Sequence, residues 1–584
     1  MSESVLTLFD ASVKRFSGRP AMQYFCTTKN AWTIKTWAET SLCVNSLAQA
    51  LKKLSLSAGD RIAILSMTRP EWVIADLAIM KASCIVTPIY HSSLTDQVSY
   101  ILEDANINVI FVENETQLKK IRDIEKSKKN LDKIIILEPI TTSLLPNEIY
   151  FEDFVAGCST EFESPALDPH AVASLVYTSG TTGEPKGAMI SHDNLIYEAL
   201  VIDKLGVLTS EDVQLLFLPL AHIFARVLAL AWIRTGHLLA FAQSIEKVVD
   251  DMAVIKPTFM AGVPRVFEKI RAKIMETALA QGGIKRHLVQ FAFKEADRLA
   301  QNSYVPTLKT KLAQALVFRK IGRTLKAKFG GRLRFLVSGG APLAPEVFSF
   351  FDCASITICE GYGLTETTAA TCLNLPWALK MGTVGRPMPG TDIRLGDDNE
   401  ILVRGRGVFL GFWRKEDQTK EVLDKDGWFH TGDIGQIDAD GFVKIVDRKR
   451  DIIVTSQGKN IAPQRVENLI KSKSPTIGHV VVIGDKRPYL VALIALDKPH
   501  AQTLMNVSEK QVTMAELASS KAIFQEVKNA ISEANLSLAT FEQIKRFHIL
   551  DREFEVGELL TPTLKVKRKV CVEVFKKEIK ALYS

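Results

Sequence analysis

Residues 175–190 read Leu-Val-Tyr-Thr-Ser-Gly-Thr-Thr-Gly-Glu-Pro-Lys-Gly-Ala-Met-Ile. An apolar run typical of a buried strand leads here into a loop of Ser, Thr and Gly that carries a single lysine. Backbone amides, hydroxyls and one cation can converge in such a loop, so it predicts a site for a polyphosphate. A glycine-rich segment taken alone is equally compatible with a plain surface turn.

The loop is not a Walker A loop, because Lys186 is followed by Gly187 and not by Ser or Thr. Its order, Tyr-Thr-Ser-Gly-Thr-Thr-Gly-x-Pro-Lys-Gly, resembles the signature of the adenylate-forming superfamily, which includes acyl-CoA synthetases, peptide-synthetase adenylation domains and luciferases. Further segments resemble this family in the same order, and the resemblance spans nearly the whole chain: Leu218-Pro-Leu-Ala-His-Ile-Phe, Ser338-Gly-Gly-Ala-Pro, Gly361-Tyr-Gly-Leu-Thr-Glu-Thr, Thr431-Gly-Asp, Asp447-Arg-Lys-Arg-Asp and Leu560-Thr-Pro-Thr-Leu-Lys.

The resemblance is strongest to long-chain fatty acyl-CoA synthetases. It implies that ATP activates a medium- to long-chain fatty acid as an acyl-adenylate, and that the acyl group then passes to coenzyme A. ATP, Mg²⁺ and coenzyme A are the implied cofactor and co-substrates. The apolar helix around 224–232, the segment Gly262-Val-Pro-Arg-Val-Phe and a long helical insertion over 265–329 are typical of the long-chain enzymes.

The resemblance also implies roles for individual residues. The phosphates of ATP would be held by Thr178, Ser179, Gly180, Thr181, Thr182, Gly183 and Lys186. The adenine would contact Tyr362, between Gly361 and Gly363, and the turn of Gly339, Gly340, Ala341 and Pro342. Asp433 and Arg448 would bind the ribose, and Ser456 and Gly458 would line the path of the coenzyme A thiol.

The implied catalytic residues are Lys565, His222, Thr365 and Glu366. Lys565 would bridge the attacking carboxylate and the α-phosphate, His222 would orient the carboxylate, and Thr365 would lie near the α-phosphate. Thr178 and Glu366 are the expected ligands of Mg²⁺, an ion that prefers oxygen ligands. Arg226 stands where some relatives have an aromatic gate, and Gln457 replaces a glycine of the commoner Ser-Gly-Gly pattern, so acyl gating and thiol access are both left open.

Helical stretches alternate with short β-rich runs as far as about residue 381, which predicts an α/β fold with layered parallel sheets. From about 382 to 446 short strands and turns predict a small β-barrel or a distorted sheet. We therefore expect an adenylation domain over 1–449 and a smaller, mobile α+β lid over 450–584, pivoting near Arg450. The apolar stretch 213–242 is interpreted as a buried helix that lines a cavity, since Pro219 and several charged residues interrupt it.

The 584 residues carry a formal net charge of +7, with basic and acidic residues interspersed, which makes nucleic acid a poor candidate partner. Eight scattered cysteines and the absence of a secretory leader favour a cytoplasmic protein with reduced thiols. The basic stretch 565–580 allows peripheral membrane contact. Lys567, Arg568 and Lys569 are expected to form a solvated tail. Monomer and homodimer are both left open.

Two other functions use the same residues differently. A fatty acyl-AMP ligase would carry out the first step and then load the phosphopantetheine of a carrier protein, whereas the absence of a fused carrier domain favours free coenzyme A. A lipid-binding pseudoenzyme would require damage to the phosphate loop, Glu366, Asp433 or Lys565, and all four are intact.

Overall fold

Two mostly parallel sheets are built from short apolar strands that alternate with helices, as the sequence predicts. The computed structural model describes residues 4–126, 131–178, 184–279, 283–301, 305–505, 512–561 and 565–584. The larger sheet has nine strands, in the spatial order Arg386–Pro387, Cys372–Leu373, Ile358–Tyr362, Phe335–Ser338, Phe259–Gly262, Val213–Leu216, Leu238–Phe241, Pro20–Cys26 and Ala31–Thr36. The six strands from Ile358–Tyr362 to Pro20–Cys26 run parallel, and the outer strands are antiparallel.

The second sheet ends in the hairpin that carries the phosphate loop. Its seven strands are, in spatial order, Glu148–Tyr150, Lys133–Ile136, Val109–Val112, Arg61–Leu65, Ile85–Ile89, Val172–Thr178 and Lys186–Ser191. Only the last pairing is antiparallel. Both faces of its central strands are buried, which explains their nearly continuous apolar sequences.

Helices cover the sheets. Those before residue 260 are Val5–Phe16, Trp37–Lys52, Pro70–Lys81, Thr95–Asp104, Glu115–Glu125, Phe151–Val155, His192–Leu205, Ile223–Thr235 and Val248–Ile255. The predicted insertion forms Pro264–Leu279, Gly283–Gln301, Leu308–Ala313 and Arg319–Lys328, with a π-helical turn at Gln314–Phe318 between the last two, and Pro345–Cys353 follows it.

The interpretation of 213–242 as one buried helix is wrong. This stretch forms the strand Val213–Leu216, the helix Ile223–Thr235 and the strand Leu238–Phe241. The helix ends at Gly236, whose φ of 75° no helical residue adopts. Central parallel strands are as apolar as a buried helix, so hydrophobicity alone could not separate the two structures. Among the described residues no helix is long and apolar enough to cross a bilayer.

An antiparallel sheet of four strands follows the parallel sheets: Thr391–Leu395, Glu400–Gly405, Phe429–Ile437 and Val443–Arg448, with the helix Glu416–Val422 between the second and the third. Of the two predicted forms, the described residues adopt the open sheet and not a closed barrel.

The C-terminal lobe has its own core. A hairpin of Ile453–Val454 and Asn460–Ile461 precedes a sheet of Ile477–Ile483, Leu490–Leu496 and Ile544–Ile549. Separate apolar clusters cover the two faces of this sheet. The helices are Pro463–Lys473, Lys498–Leu504, Met514–Ser519, Lys521–Asn535, Arg568–Val574 and Lys576–Tyr583.

Candidate active site

Four segments that follow parallel strands meet where the carboxyl ends of these strands lie in the nine-stranded sheet. Because the strands run in the same direction, their carboxyl ends lie together, and ligands of α/β proteins bind at this kind of edge. The segments carry His222, Val263, the turn 339–342 and the turn 363–367. Four of the sequence motifs, separate along the chain, are therefore neighbours in space.

The phosphate loop connects two antiparallel strands, in which Thr178 and Lys186 are directly opposite each other. The Lys186 ammonium lies 5.1 Å from the centroid of the Phe412 ring, a cation–π distance. The predicted phosphate ligands Ser179, Gly180, Thr181, Thr182 and Gly183 lie outside the described residues. The two residues at the base of the loop are thus fixed by strand pairing.

Segment 409–413 ties this hairpin to the turn that carries Glu366. Its backbone N–H groups donate to the carbonyl oxygens of Gly187 at 2.8 Å, Met189 at 2.9 Å and Glu366 at 2.9 Å. The strand that begins at Lys186 also packs against the turn Thr365–Thr367. Lys186 and Glu366 consequently belong to one rigid frame, although more than 170 residues separate them in sequence.

The turn 339–342 lies against the helix that carries His222. A Cβ atom on Gly339 would lie 3.1 Å from the Phe224 ring, and Gly340 has a φ of 80°, which favours glycine. The carboxylate of Glu360 accepts a hydrogen bond from the Leu343 backbone N–H at 2.9 Å and so anchors the end of the turn. Burial raises the pKa of Glu360 to about 7, against the opposing effect of that hydrogen bond.

Gly361 and Gly363 flank Tyr362 at the end of a sheet strand and allow close packing. A Cβ on Gly363 would lie 1.3 Å from the carbonyl oxygen of Ala369, a distance that no arrangement of this backbone permits. Thr365 and Glu366 follow in a single 3₁₀ turn. Gly363 thus lets the chain fold back and present the Glu366 side chain to the cleft.

Asp433 joins this turn to the antiparallel sheet. The Tyr362 hydroxyl donates to Oδ2 of Asp433 at 2.6 Å, and Arg448 Nε lies 3.2 Å from Oδ1. Asp433 and Arg448 are paired across adjacent strands, which brings them together. Each carboxylate oxygen can accept more than one hydrogen bond, so Asp433 retains the capacity to bind further hydroxyls.

Lys565 enters the same cleft from the C-terminal lobe. Its side chain is exposed to solvent. The protein groups that surround it nevertheless displace much of the nearby water. The pKa of Lys565 is lowered to about 8, mainly by this desolvation and then by the charge of Arg448. Arg450 adds a smaller lowering effect, whereas Asp433 and Glu366 oppose the shift. The charges of Arg448, Arg450, Asp433 and Glu366 thus all act on Lys565.

His222 caps the helix Ile223–Thr235, and its Nδ1 accepts the backbone N–H of Phe224 at 3.1 Å. A neutral imidazole with Nδ1 as acceptor carries its proton on Nε2. Burial and, next, the charge of Lys565 lower the pKa of His222 to about 4, so the ring is neutral near pH 7. The site therefore has one fixed N–H donor close to Lys565.

Two hydrogen bonds to Thr561 hold the backbone of Lys565. The Lys565 N–H donates to Oγ1 of Thr561 at 3.1 Å, and the Lys565 carbonyl oxygen accepts the N–H of Thr561 at 2.8 Å. The expectation of a solvated tail just after it is wrong for two residues: Lys567 Nζ donates to the Gly557 carbonyl at 2.7 Å, and Arg568 forms an ion pair with Glu467 at 2.6 Å. Both contacts fix the chain just after Lys565, whereas Lys569 is exposed.

Ion pairs between the lobes accompany this arrangement. Arg265 Nη2 lies 2.8 Å from Oδ2 of Asp497, and Lys471 Nζ lies 3.3 Å from Oε2 of Glu268. In both pairs one partner belongs to the start of the helix Pro264–Leu279 and the other to the C-terminal lobe. They join the C-terminal lobe to the rest of the described chain.

Ser456 and Gly458 are not brought to this cleft. They lie in the exposed hairpin turn of the C-terminal lobe, where Ser456 N–H donates to the Arg487 carbonyl and Gly458 N–H to that of Thr455. Among the described residues, the hydrogen bonds of this turn join it to its own lobe. The turn also contains Gln457, which is exposed.

Arg226 is fully buried, one turn beyond His222 along the same helix, and pairs with Asp76 through Nε at 3.1 Å and Nη2 at 2.5 Å. An ion pair with a buried partner fixes this side chain. Arg226 therefore does not swing freely in the way an aromatic gate would.

Arg450 is a further residue of the site, although the sequence indicates for it only the role of pivot. Its charge acts on Lys565 and on Glu366. It lies in the turn that directly follows the strand Val443–Arg448, so the alternation of side chains along a strand could not have assigned it to the site.

Comparisons with known proteins agree with this geometry. Residues 9–413 match the AMP-binding enzyme family, and residues 450–584 match the AMP-binding enzyme C-terminal domain. The chain is 36% identical to the long-chain-fatty-acid–CoA ligase FadD15 of Mycobacterium bovis, over 95% of this chain and 93% of that protein. It is 31% identical to the human long-chain-fatty-acid–CoA ligase ACSBG1, over 95% and 82% of the two chains.

The fold is also that of a solved relative. The adenylation domain of a carboxylate reductase from Mycobacterium chelonae superposes with a TM-score of 0.78 at 20% identity, covering 100% of this chain and 91% of that one. Family matches over both lobes and full-length relatives above 30% identity lead to one conclusion. The chain belongs to the AMP-binding enzyme family, together with the long-chain-fatty-acid–CoA ligases.

Proposed function

We propose that this protein is an AMP-forming acid–thiol ligase that activates a medium- to long-chain fatty acid with ATP and transfers the acyl group to coenzyme A. The observation that carries the proposal is the convergence of His222, Glu366, Asp433, Arg448 and Lys565 on one cleft. Two relatives above 30% identity over most of this chain are long-chain-fatty-acid–CoA ligases, which supports the same substrate class.

In the first step a carboxylate oxygen of the fatty acid attacks the α-phosphorus of ATP. A new oxygen–phosphorus bond forms, the bond between the α-phosphorus and the β-bridging oxygen breaks, and pyrophosphate leaves with the electron pair. Two anions must approach each other, so catalysis depends on fixed positive charge and on positioning. Lys565 would lie between the groups, and the Nε2–H of His222 would orient the carboxylate.

The nucleotide would lie across the carboxyl ends of the parallel strands in the nine-stranded sheet. The phosphates would contact the loop that Thr178 and Lys186 flank, and Thr365 would be next to the α-phosphate. Tyr362 and the turn 339–342 enclose the adenine, and Asp433 with Arg448 holds the ribose. In this arrangement the hydrogen bond from Tyr362 to Asp433 couples the adenine wall to the ribose carboxylate.

Mg²⁺ would be held by Glu366 and Thr178. Among the described residues, no three or more acidic, His or Cys side chains are placed so that they could hold a metal ion together. That donor set fits a magnesium ion bound through one carboxylate and the phosphates of its substrate, a common arrangement for this ion. When bound, Mg²⁺ neutralises charge on the phosphates.

The second step needs different surroundings, because Lys565 occupies the side from which a thiol must reach the mixed anhydride. We propose that lobe 450–584 rotates near Arg450, withdraws Lys565 and brings the turn with Ser456 and Gly458 to the thiol. The thiol sulfur then attacks the acyl carbonyl, a thioester bond forms, and AMP leaves. The lobe joins the rest of the described chain through few ion pairs, which supports such movement.

The acyl chain would lie along the helix Ile223–Thr235, which begins at His222 and is apolar and buried. Each buried methylene contributes about 0.8 kcal/mol, so the depth of the tunnel decides the preferred length. We place the protein in the cytoplasm, with peripheral membrane contact.

Pyrophosphate release from ATP with a panel of fatty acids, with and without coenzyme A, tests the proposal. We expect release that requires a long-chain acid, together with an acyl-CoA product. Fatty-acid-dependent release without any thioester would favour the loading of a carrier protein. No release with any acid would favour a lipid-binding protein without activity.

A further inference from the structure

One surface outside the active site combines exposed leucines with unpaired positive charge. The 48 residues from Arg298 to Pro345 contain ten Lys or Arg and no Asp or Glu. Within them, residues 308–328 form a continuous helix, α-helical at both ends with a π-helical turn between, which we call the basic helix.

One face of the basic helix is packed against the protein. The Phe318 ring lies 6.0 Å from that of Phe293 and 5.8 Å from that of Phe350, measured between centroids. A Cβ on Gly322 would lie 2.1 Å from the Ala354 carbonyl oxygen, so the helix backbone presses directly on its neighbour. These contacts fix which side of the helix faces outward.

The outward side presents three leucines in a row. Leu308, Leu312 and Leu316 are 85%, 50% and 56% exposed and follow each other at four-residue intervals, which places them on one helix face. A monomeric protein rarely leaves such an aligned apolar row in water.

Long basic side chains surround this row. Every basic residue of the basic helix is exposed: Lys309, Lys311, Arg319, Lys320, Arg323, Lys326 and Lys328. In the part of the chain that the structure describes, none of the seven forms a salt bridge. An apolar row bordered by Lys and Arg fits the boundary between the headgroups and acyl chains of an anionic membrane, because the alkyl stems can lie on the lipid while the charges reach phosphates.

We propose that the basic helix docks the protein on anionic lipid bilayers, with Leu308, Leu312 and Leu316 inserted between headgroups. The stretch 565–580, which suggested membrane contact from sequence, is less suitable because Lys565 turns into the cleft and Arg568 is paired with Glu467. Nucleic acid would match the charge but not the leucines.

The position of the helix fits a role in acyl supply, a point that rests on the proposed function. The insertion begins at Pro264, directly after Val263, whose side chain lies beside Gly340 at the wall of the cleft. A bilayer against the outer surface of the insertion would hold the fatty acid pool close to the enzyme.

Co-sedimentation of the full chain with phosphatidylcholine vesicles, with or without phosphatidylglycerol, tests the proposal. The wild type should bind the anionic vesicles. The combined variant Leu308→Ser, Leu312→Ser, Leu316→Ser should lose at least about tenfold in affinity for them. Lys309→Gln, Lys311→Gln and Arg323→Gln together should weaken it by about a hundredfold, at about fivefold per charge.

Leu536→Ser is the matched control, because Leu536 is 87% exposed on the C-terminal lobe and should leave vesicle binding unchanged. Unchanged binding by the triple leucine variant would overturn the proposal. So would a wild type that is dimeric at the assay concentration and becomes monomeric in that variant, since the row would then bind a second copy.

Pyrophosphate release from a dissolved fatty acid without vesicles separates this proposal from the proposed function. All variants should equal the wild type in that assay. A wild type inactive with every acid would refute the ligase activity, while its vesicle binding would still stand as a separate result.

Discussion

The pKa of Lys565, lowered to about 8, predicts a distinctive pH dependence for acyl-adenylate formation. The charged form is the one that draws the carboxylate and the α-phosphate together, and deprotonation removes that charge. With a pKa near 8, about nine-tenths of the lysine is charged near pH 7 and about one-tenth near pH 9. An unshifted lysine would remain almost fully charged over this range.

The adenylation rate should therefore fall about tenfold between pH 7 and pH 9 when it is expressed as kcat/KM for ATP, which reports the groups of the free enzyme. Bound ATP adds negative charge next to Lys565 and raises its pKa, so the fall in kcat should occur at higher pH. The assay is pyrophosphate release without coenzyme A at a fatty acid concentration well below its KM, in buffers of constant ionic strength, so that the lysine titrates in the free enzyme.

Lys565→Arg is the control, because arginine keeps its charge throughout this range. The variant should be slower than the wild type, since the guanidinium differs in shape, yet its kcat/KM should not fall between pH 7 and pH 9. A wild-type profile that is flat over this interval would refute the reasoning. A fall of the same size in Lys565→Arg would assign the titration to another group.

Three further changes test other parts of the site. His222→Ala should slow adenylation by about tenfold to a hundredfold through loss of the fixed N–H donor. Because the pKa of His222 is about 4, the wild-type rate should show no inflection from this group between pH 5.5 and 7. An inflection in that range that disappears in His222→Ala would contradict the assignment. Asp433→Asn should raise KM for ATP by about tenfold or more through loss of charge-assisted hydrogen bonds, with a smaller change in kcat, whereas an unchanged KM would separate Asp433 from the nucleotide. Gly363→Ala should destabilise the fold by about 3 kcal/mol, because its Cβ would meet the Ala369 carbonyl at 1.3 Å, while Gly18→Ala, with open space around it, should leave the melting temperature unchanged.

The sequence predicts the layered parallel fold well because the hydrophobic runs are short, repeated and separated by amphipathic helices. It fails over 213–242, where Pro219 and Gly236 mark the ends of elements but the hydrophobicity is uniform. The spacing of polar residues distinguishes a helix from a strand in sequence. A segment that is buried on every side has too few polar residues for this spacing to be recognised.

The candidate site is predictable as far as each residue belongs to a local motif. Glu366, Asp433 and Lys565 were found in this way, and the structure brings the three into one cleft. The family resemblance also placed Arg448 at the same ribose as Asp433. Other contacts were not found, because they depend on packing between distant segments. The hydrogen bond from Tyr362 to Asp433 joins residues 71 apart in sequence, and the salt bridge between Arg226 and Asp76 joins helices 150 residues apart.

The delivery of Lys565 by the C-terminal lobe is the claim on which the two-step mechanism depends, and the separated half-reactions of Lys565→Ala test it directly. Pyrophosphate release without coenzyme A should fall by about a hundredfold or more, the usual effect of removing a donor aimed at developing charge. Formation of acyl-CoA from pre-made acyl-adenylate should stay close to the wild-type rate. If the variant releases pyrophosphate normally, or if both half-reactions fall together in a folded protein, Lys565 does not have this role.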